Sequence, residues 1–111
     1  MKIQEYKKLI LENKFFEAHE VLEEFWFPRR REKDNLTLIV KGFINAAVSL
    51  ELYKRGREQN SQKIWQVFEK YVKLLDQVER EDLKELKEFV EQFRLSYIKG
   101  FNSYEKNNTN T

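Results

Sequence analysis

The sequence contains no cysteine, which excludes a disulfide framework, a thiolate metal site and a cysteine nucleophile. It has one proline, Pro28, and three glycines, Gly42, Gly56 and Gly100. Those are too few turn-formers for the many short strands and hairpins of an all-β fold. Neither sign of charge prevails. Lys and Arg number 21 against 19 Asp and Glu, a net charge of +2, which by itself gives no indication of nucleic acid. No uninterrupted apolar run approaches the ~20 residues of a membrane span. The segment Met1–Ile10 carries Glu5 and three lysines, unlike a signal peptide. The expectation is a soluble cytoplasmic chain with no membrane association, no cofactor and no resident metal.

What is present is an alternation of apolar and charged residues, 41% and 36% of the chain, which suits amphipathic helices with one face in a core. A chain of 111 residues makes one domain and can bury a core without staples. Four or five helices are expected and no strand. The first covers 2–12, with Ile3, Tyr6, Leu9 and Ile10 on one side and Asn13-Lys14 as its interruption. The second covers 15–27, where Phe15, Ala18, His19, Leu22, Phe25 and Trp26 recur at helical spacing. Pro28 stops it, and PRRREKDN (28–35) follows as a charged loop.

The third helix, 36–55, is apolar on most of its circumference, the mark of a buried central helix. Asp34 or Asn35 caps its start, and Lys54-Arg55-Gly56 ends it. A fourth helix runs from 60–61 to 78 on Ile64, Phe68, Tyr71, Leu75 and Val78. A fifth starts at Asp82, which has capping-box spacing to Glu85, and Gly100 is a place for it to end or bend. Short connections favour antiparallel neighbours. The fold expected is therefore all-α, an up-and-down bundle over residues 1–106 with the third helix at its centre. The polar residues 107–111 form a disordered tail in this reading.

The residues able to carry chemistry are few. His19 is the only histidine. It sits on an apolar stripe with Glu23 one turn on, within side-chain reach. His19-Glu20-Val21-Leu22-Glu23 is one residue from the H-E-x-x-H zinc motif, with Glu23 where the second histidine would stand. The pair has three readings: a mutually satisfied polar pair at the edge of the core, an acid–base or ligand-binding group, or part of a metal site. Trp26 lies on the same edge of its helix, and its indole N–H requires an acceptor if buried. Glu51 falls in the sector of Phe43, Ile44, Ala47 and Val48, where a carboxylate must find a partner or an opening. Asn45 and Ser49 lie one turn apart, placed to bond a neighbouring helix or to line a cleft. Arg29, Arg30 and Arg31 form one basic cluster. Lys54, Arg55 and Arg57 form another at the far end of a helix some ~30 Å long, so the two do not make one patch.

The run FFEAHEVLEEFW (15–26), the block GFINAA (42–47) and Arg55-Gly56 together resemble the signature of the family called domain of unknown function 309, over roughly residues 10–75. The resemblance implies a small helical bundle and points to His19, Glu23 and Trp26. It supplies no reaction. The chain departs from the family pattern in having Asn45 where Gln is usual, Leu52 where a second histidine often stands, and Arg57 for a usual Asn.

Three functions follow as expectations. The first is a binding or interaction module with a polar cleft formed by His19, Glu20, Glu23, Trp26, Asn45 and Glu51, taking a small ligand or a protein partner, with self-association open to it. The second is a hydrolase using His19 and Glu23, with or without a metal. The third is nucleic-acid binding through Arg29–Arg31, the least favoured of them. The choice turns on whether His19 and Glu23 face a hollow or lie sealed under aromatic side chains.

Overall fold

The structure, a computed structural model, describes residues 1–109, with side chains described through residue 100. Five α-helices follow one another: α1 (Ile3–Leu11), α2 (Phe15–Trp26), α3 (Asn35–Lys54), α4 (Glu58–Val72) and α5 (Glu81–Thr109). Single 3-10 turns at Phe27–Arg29 and Lys73–Gln77 extend α2 and α4. Among the described residues there is no strand. The polar end at 107–111 falls partly on residues 110 and 111, which lie outside the described residues.

Chain punctuation explains the boundaries. α1 ends with Asn13 in the left-handed region (φ 60°), while the Asn13 and Lys14 amides bond back to the Ile10 and Leu9 carbonyls. Gly56 (φ 80°) ends α3 in the same way, with its own amide on Tyr53 and that of Arg57 on Leu52. Both are Schellman stops, in which a left-handed residue lets two amides satisfy the last carbonyls. At the other end of α3 the Asp34 carboxylate accepts the Thr37 amide at 3.0 Å. Bonding from Thr37 holds that carboxyl below the ordinary range.

Four expectations are corrected. Pro28 does not open a loop directly; it sits inside the 3-10 turn that prolongs α2, where its missing N–H leaves no bond unmade. The fourth helix is α-helical only to Val72, and the tighter turn beyond it returns Leu75 to the core at 3% exposure. α5 begins at Glu81 without an Asp82–Glu85 box. Instead the Asp82 carboxylate accepts the Leu83 amide and is gripped by the Arg80 guanidinium at 2.8 and 3.0 Å, which draws its pKa down. Gly100 neither ends α5 nor stops its helical run.

α3 is the centre, packing against α2, α4, α5 and the second 3-10 turn. Ile39, Val40, Phe43, Ala46, Ala47 and Leu50 are fully or almost fully buried. Among the described residues α3 alone is long and apolar enough to cross a membrane, and 61% of that window is buried inside the bundle. The core continues through Tyr6 and Ile10 of α1, Phe15, Ala18 and Leu22 of α2, Trp65, Phe68 and Val72 of α4, and Leu83, Leu86 and Val90 of α5. At Gly42 α3 lies tight against α4: a Cβ there would stand 3.1 Å from the Tyr71 Cβ.

Candidate functional site

One row of α2 (Phe15, Ala18, Leu22) has no solvent exposure. The adjacent row, Phe16, His19, Glu23 and Trp26, advances by three, four and three residues. It therefore stays on one side of the helix and lies along the seam with α3. The facing row of α3 is Lys41, Ile44, Asn45, Val48, Glu51, Leu52 and Arg55. Two hollows open along this seam, each of about 270 Å³. Phe16, His19, Val48, Glu51, Leu52 and Arg55 line one. His19, Glu23, Trp26, Lys41, Ile44, Asn45 and Val48 line the other. They meet at His19 and Val48.

His19 forms the partition. Its Nδ1–H donates to the Phe16 carbonyl at 2.6 Å. A carbonyl can only accept, so this bond assigns the Nδ1 proton. Nε2 faces Glu23 Oε1 at 2.5 Å. The ring also lies 4.9 Å from the Phe16 ring. The imidazole is thus fixed from both nitrogens, yet 15% of its side chain and 40% of that of Glu23 remain open to solvent. The pair lines a hollow and is not sealed beneath aromatic rings.

Of the other expected site residues, Glu51 lies in the first hollow with its side chain 15% exposed, bonded to Arg55 Nε at 3.3 Å. Its charge reaches Tyr97: the Tyr97 hydroxyl is pushed up first by burial, then by Glu51 and Tyr53. Asn45 gives its amide N–H to the Lys41 carbonyl at 2.8 Å, which braces it in the second hollow. Trp26 is half-buried; among the described residues its indole N–H has no protein acceptor and is not one of the sealed polar atoms. Glu20 is exposed and lines neither hollow. It projects from the outer face of α2, one position round from His19. Ser49 is turned away from the cleft, bonded instead to Ser61 of α4.

Sequence reasoning missed Phe16, Lys41, Ile44, Val48, Leu52 and Arg55 as wall residues. Phe16 and Lys41 left a signal, an aromatic off the core stripe and a cation within an apolar run. The others are ordinary members of a helical pattern, and only the position of α2 makes them walls. Leu52 stands in the same hollow as His19 and makes that part of the wall apolar. Among the described residues no three His, Asp or Glu side chains group as ligands for one ion.

The basic cluster has local employment. Arg29 Nη1 donates to the Phe25 carbonyl at 2.7 Å with its guanidinium 3.9 Å over the Phe25 ring. Arg30 does the same to the carbonyl and ring of Phe27, at 2.7 and 3.9 Å. Both satisfy carbonyls at the end of α2 and complement its dipole. Of the three arginines, Arg31 alone makes no such bond among the described residues.

A family model described as domain of unknown function (DUF309) matches residues 3–64, which hold α1, α2, α3 and the start of α4. No curated protein and no solved structure matches the chain.

Proposed function

The chain belongs to the DUF309 family, and we propose that it is a binding module whose working part is the α2–α3 seam. The observation that carries this reading is the meeting of the two hollows at His19 and Val48. It gathers His19, Glu23, Trp26, Asn45 and Glu51 along one wall system of apolar surface with a few fixed polar groups. That is the usual character of a binding site. The ligand is amphipathic. Phe16, Ile44, Val48 and Leu52 take its apolar part, and His19, Glu23 and Asn45 orient its polar part.

The test is a fragment screen read by amide chemical shifts. Binding fragments are expected to move the resonances of His19, Glu23, Asn45, Val48 and Glu51, and Val48→Trp, which sets an indole where the two hollows meet, is expected to abolish the shifts. Fragments that cluster elsewhere, or shifts that persist in Val48→Trp, overturn the reading.

An acid–base role for His19 and Glu23 is a second reading, supported by the bond that fixes Nδ1 on the Phe16 carbonyl. General-base chemistry on this imidazole requires Nε2 to leave Glu23 for the substrate while Nδ1 stays held on the Phe16 carbonyl. It predicts ester, amide or phosphoester hydrolysis that His19→Ala removes. Turnover equal in the native chain and His19→Ala discards it.

A further inference from the structure

The α2–α3 seam is built of two parallel rows of side chains, each row advancing about one helical turn at a time. Phe16, His19, Glu23 and Trp26 form one wall, and Lys41, Asn45, Val48 and Arg55 belong to the other. From Lys41 to Arg55 the seam is about 21 Å long at 1.5 Å per residue. Rows of this kind, set between two packed helices, form the groove that receives the ridge of a third helix. The walls offer side chains only. The backbones of α2 and α3 are spent within their own helices, so an extended peptide would find no edge to pair with, whereas a helix brings its own backbone bonds already made. On α3 the two hollows are centred near residues 44–45 and 51–52. They are about seven residues, or about 10 Å, apart, the spacing of side chains two turns apart on an occupying helix.

Charge gives the occupant its polarity. Lys41 stands at one end of the seam and Arg55 at the other, with Glu23 and Glu51 between. Glu23 is answered by His19 and Glu51 by one nitrogen of Arg55. Lys41 makes no ion pair among the described residues, only a contact over the Tyr71 ring at 5.6 Å. Arg55, 60% exposed, bonds Glu51 through Nε alone, which leaves its remaining donors free to meet a second carboxylate. The unmatched charge is therefore positive and lies at the two ends. This chain's own exposed face on α5 (Glu81, Glu85, Glu88, Gln92, Leu95, Lys99) carries its acids at one end and a lysine at the other, with Leu95 as its one apolar residue, so a second copy is a poorer fit.

Resting on the reading of the seam as a binding site, we propose that its occupant is an amphipathic helix of about four turns on a partner protein, with two apolar anchors two turns apart and acidic residues at both ends. The experiment uses three stapled 15-residue helical peptides and the full chain. One carries leucine anchors at i and i+7 with glutamates at its ends, one has lysines at the ends, and one has the anchors moved off the face. The acid-ended peptide is expected to bind about tenfold more tightly than either control. Lys41→Glu with Arg55→Glu is expected to reverse the preference in favour of the lysine-ended peptide, and Val48→Trp to abolish binding. Arg55 is exposed and Lys41 half-buried at the rim, outside the core, so the two charge reversals decide the matter even if Val48→Trp does not fold.

Equal binding of all three peptides, or a preference that the charge reversal leaves unchanged, overturns the proposal. Sedimentation equilibrium at assay concentration covers the self-partner: a dimer dispersed by Lys41→Glu with Arg55→Glu overturns it in favour of a second copy. Fragments that shift His19 and Val48 while no peptide binds overturn the helical partner and leave the binding site standing. Failure of both probes removes both.

Discussion

Two hydroxyls join α3 to α4 where apolar contact gives way. Ser49 Oγ donates to the Ser61 carbonyl and Ser61 Oγ to the Ser49 carbonyl, both at 2.7 Å, with the two oxygens 3.1 Å apart and buried. Neither bond exists without the other helix, and each hydroxyl has its own backbone carbonyl as acceptor, so removing one leaves the other bond in place. Ser49→Ala and Ser61→Ala are each expected to cost about 0.5–1.5 kcal/mol. The double variant should cost close to their sum, within about 0.5 kcal/mol; urea unfolding of the four proteins measures it, and a larger departure from additivity refutes two separate bonds. Tyr6 works similarly from α1, its hydroxyl donating to the Phe43 carbonyl at 2.7 Å. Full burial pushes its ionisation far above the ordinary value of 10.0. The group is neutral when folded, so its contribution is complete below the unfolded tyrosine pKa and is lost as pH rises beyond it. Stability is expected to fall above about pH 10, and Tyr6→Phe should lessen that slope while lowering the midpoint at neutral pH. An unchanged alkaline slope in Tyr6→Phe counts against the assignment.

At the scale of elements, two glycines inside helices have opposite meanings. Gly42 lets α3 and α4 approach, since a Cβ would stand 3.1 Å from the Tyr71 Cβ and 3.6 Å from the Phe68 carbonyl. Gly100 in α5 has open space around the same position. Gly42→Leu is expected to force the helices apart at a cost of about 1–3 kcal/mol. Gly100→Ala replaces a poor helix former by the best one and should leave the thermal midpoint unchanged or raised. A Gly42→Leu protein as stable as the native chain would show that the α3–α4 approach has slack. The end of α2 is the other element-scale device. Arg29 and Arg30 fold back onto the carbonyls and rings of Phe25 and Phe27, so a cluster that reads as free charge is a helix cap.

Over the whole molecule one core runs without a break. Buried residues from all five helices join a single cluster centred on α3, while the longest dimension, 52 Å, exceeds the other two, 24 and 23 Å. A single core within one small domain unfolds as one unit. Circular dichroism, which follows all helices, and tryptophan fluorescence, which follows Trp65 in the core and Trp26 in the seam, are therefore expected to give one midpoint in urea. A helical signal that melts ahead of the fluorescence would mean that part of the molecule unfolds on its own.

Legible along the chain were the five helices, though not every boundary, together with their buried rows, the Gly56 stop and a cap on α3 at Asp34 or Asn35. Each depends on residues within one or two turns, where the 3.6-residue repeat and left-handed backbone sterics act locally. For the same reason His19, Glu23 and Trp26 share one edge of one helix. Glu20 points away from that edge by the same local geometry, one position round from His19. It takes the packing of one helix on another to bring Asn45 and Glu51 to the edge and to face Ser49 to α4. Spacing along the chain gives a side chain its angle on its own helix. It does not give the rotation and distance of the next helix, which are set by how Gly42, Tyr71 and the buried aromatic rings fit together across the interfaces.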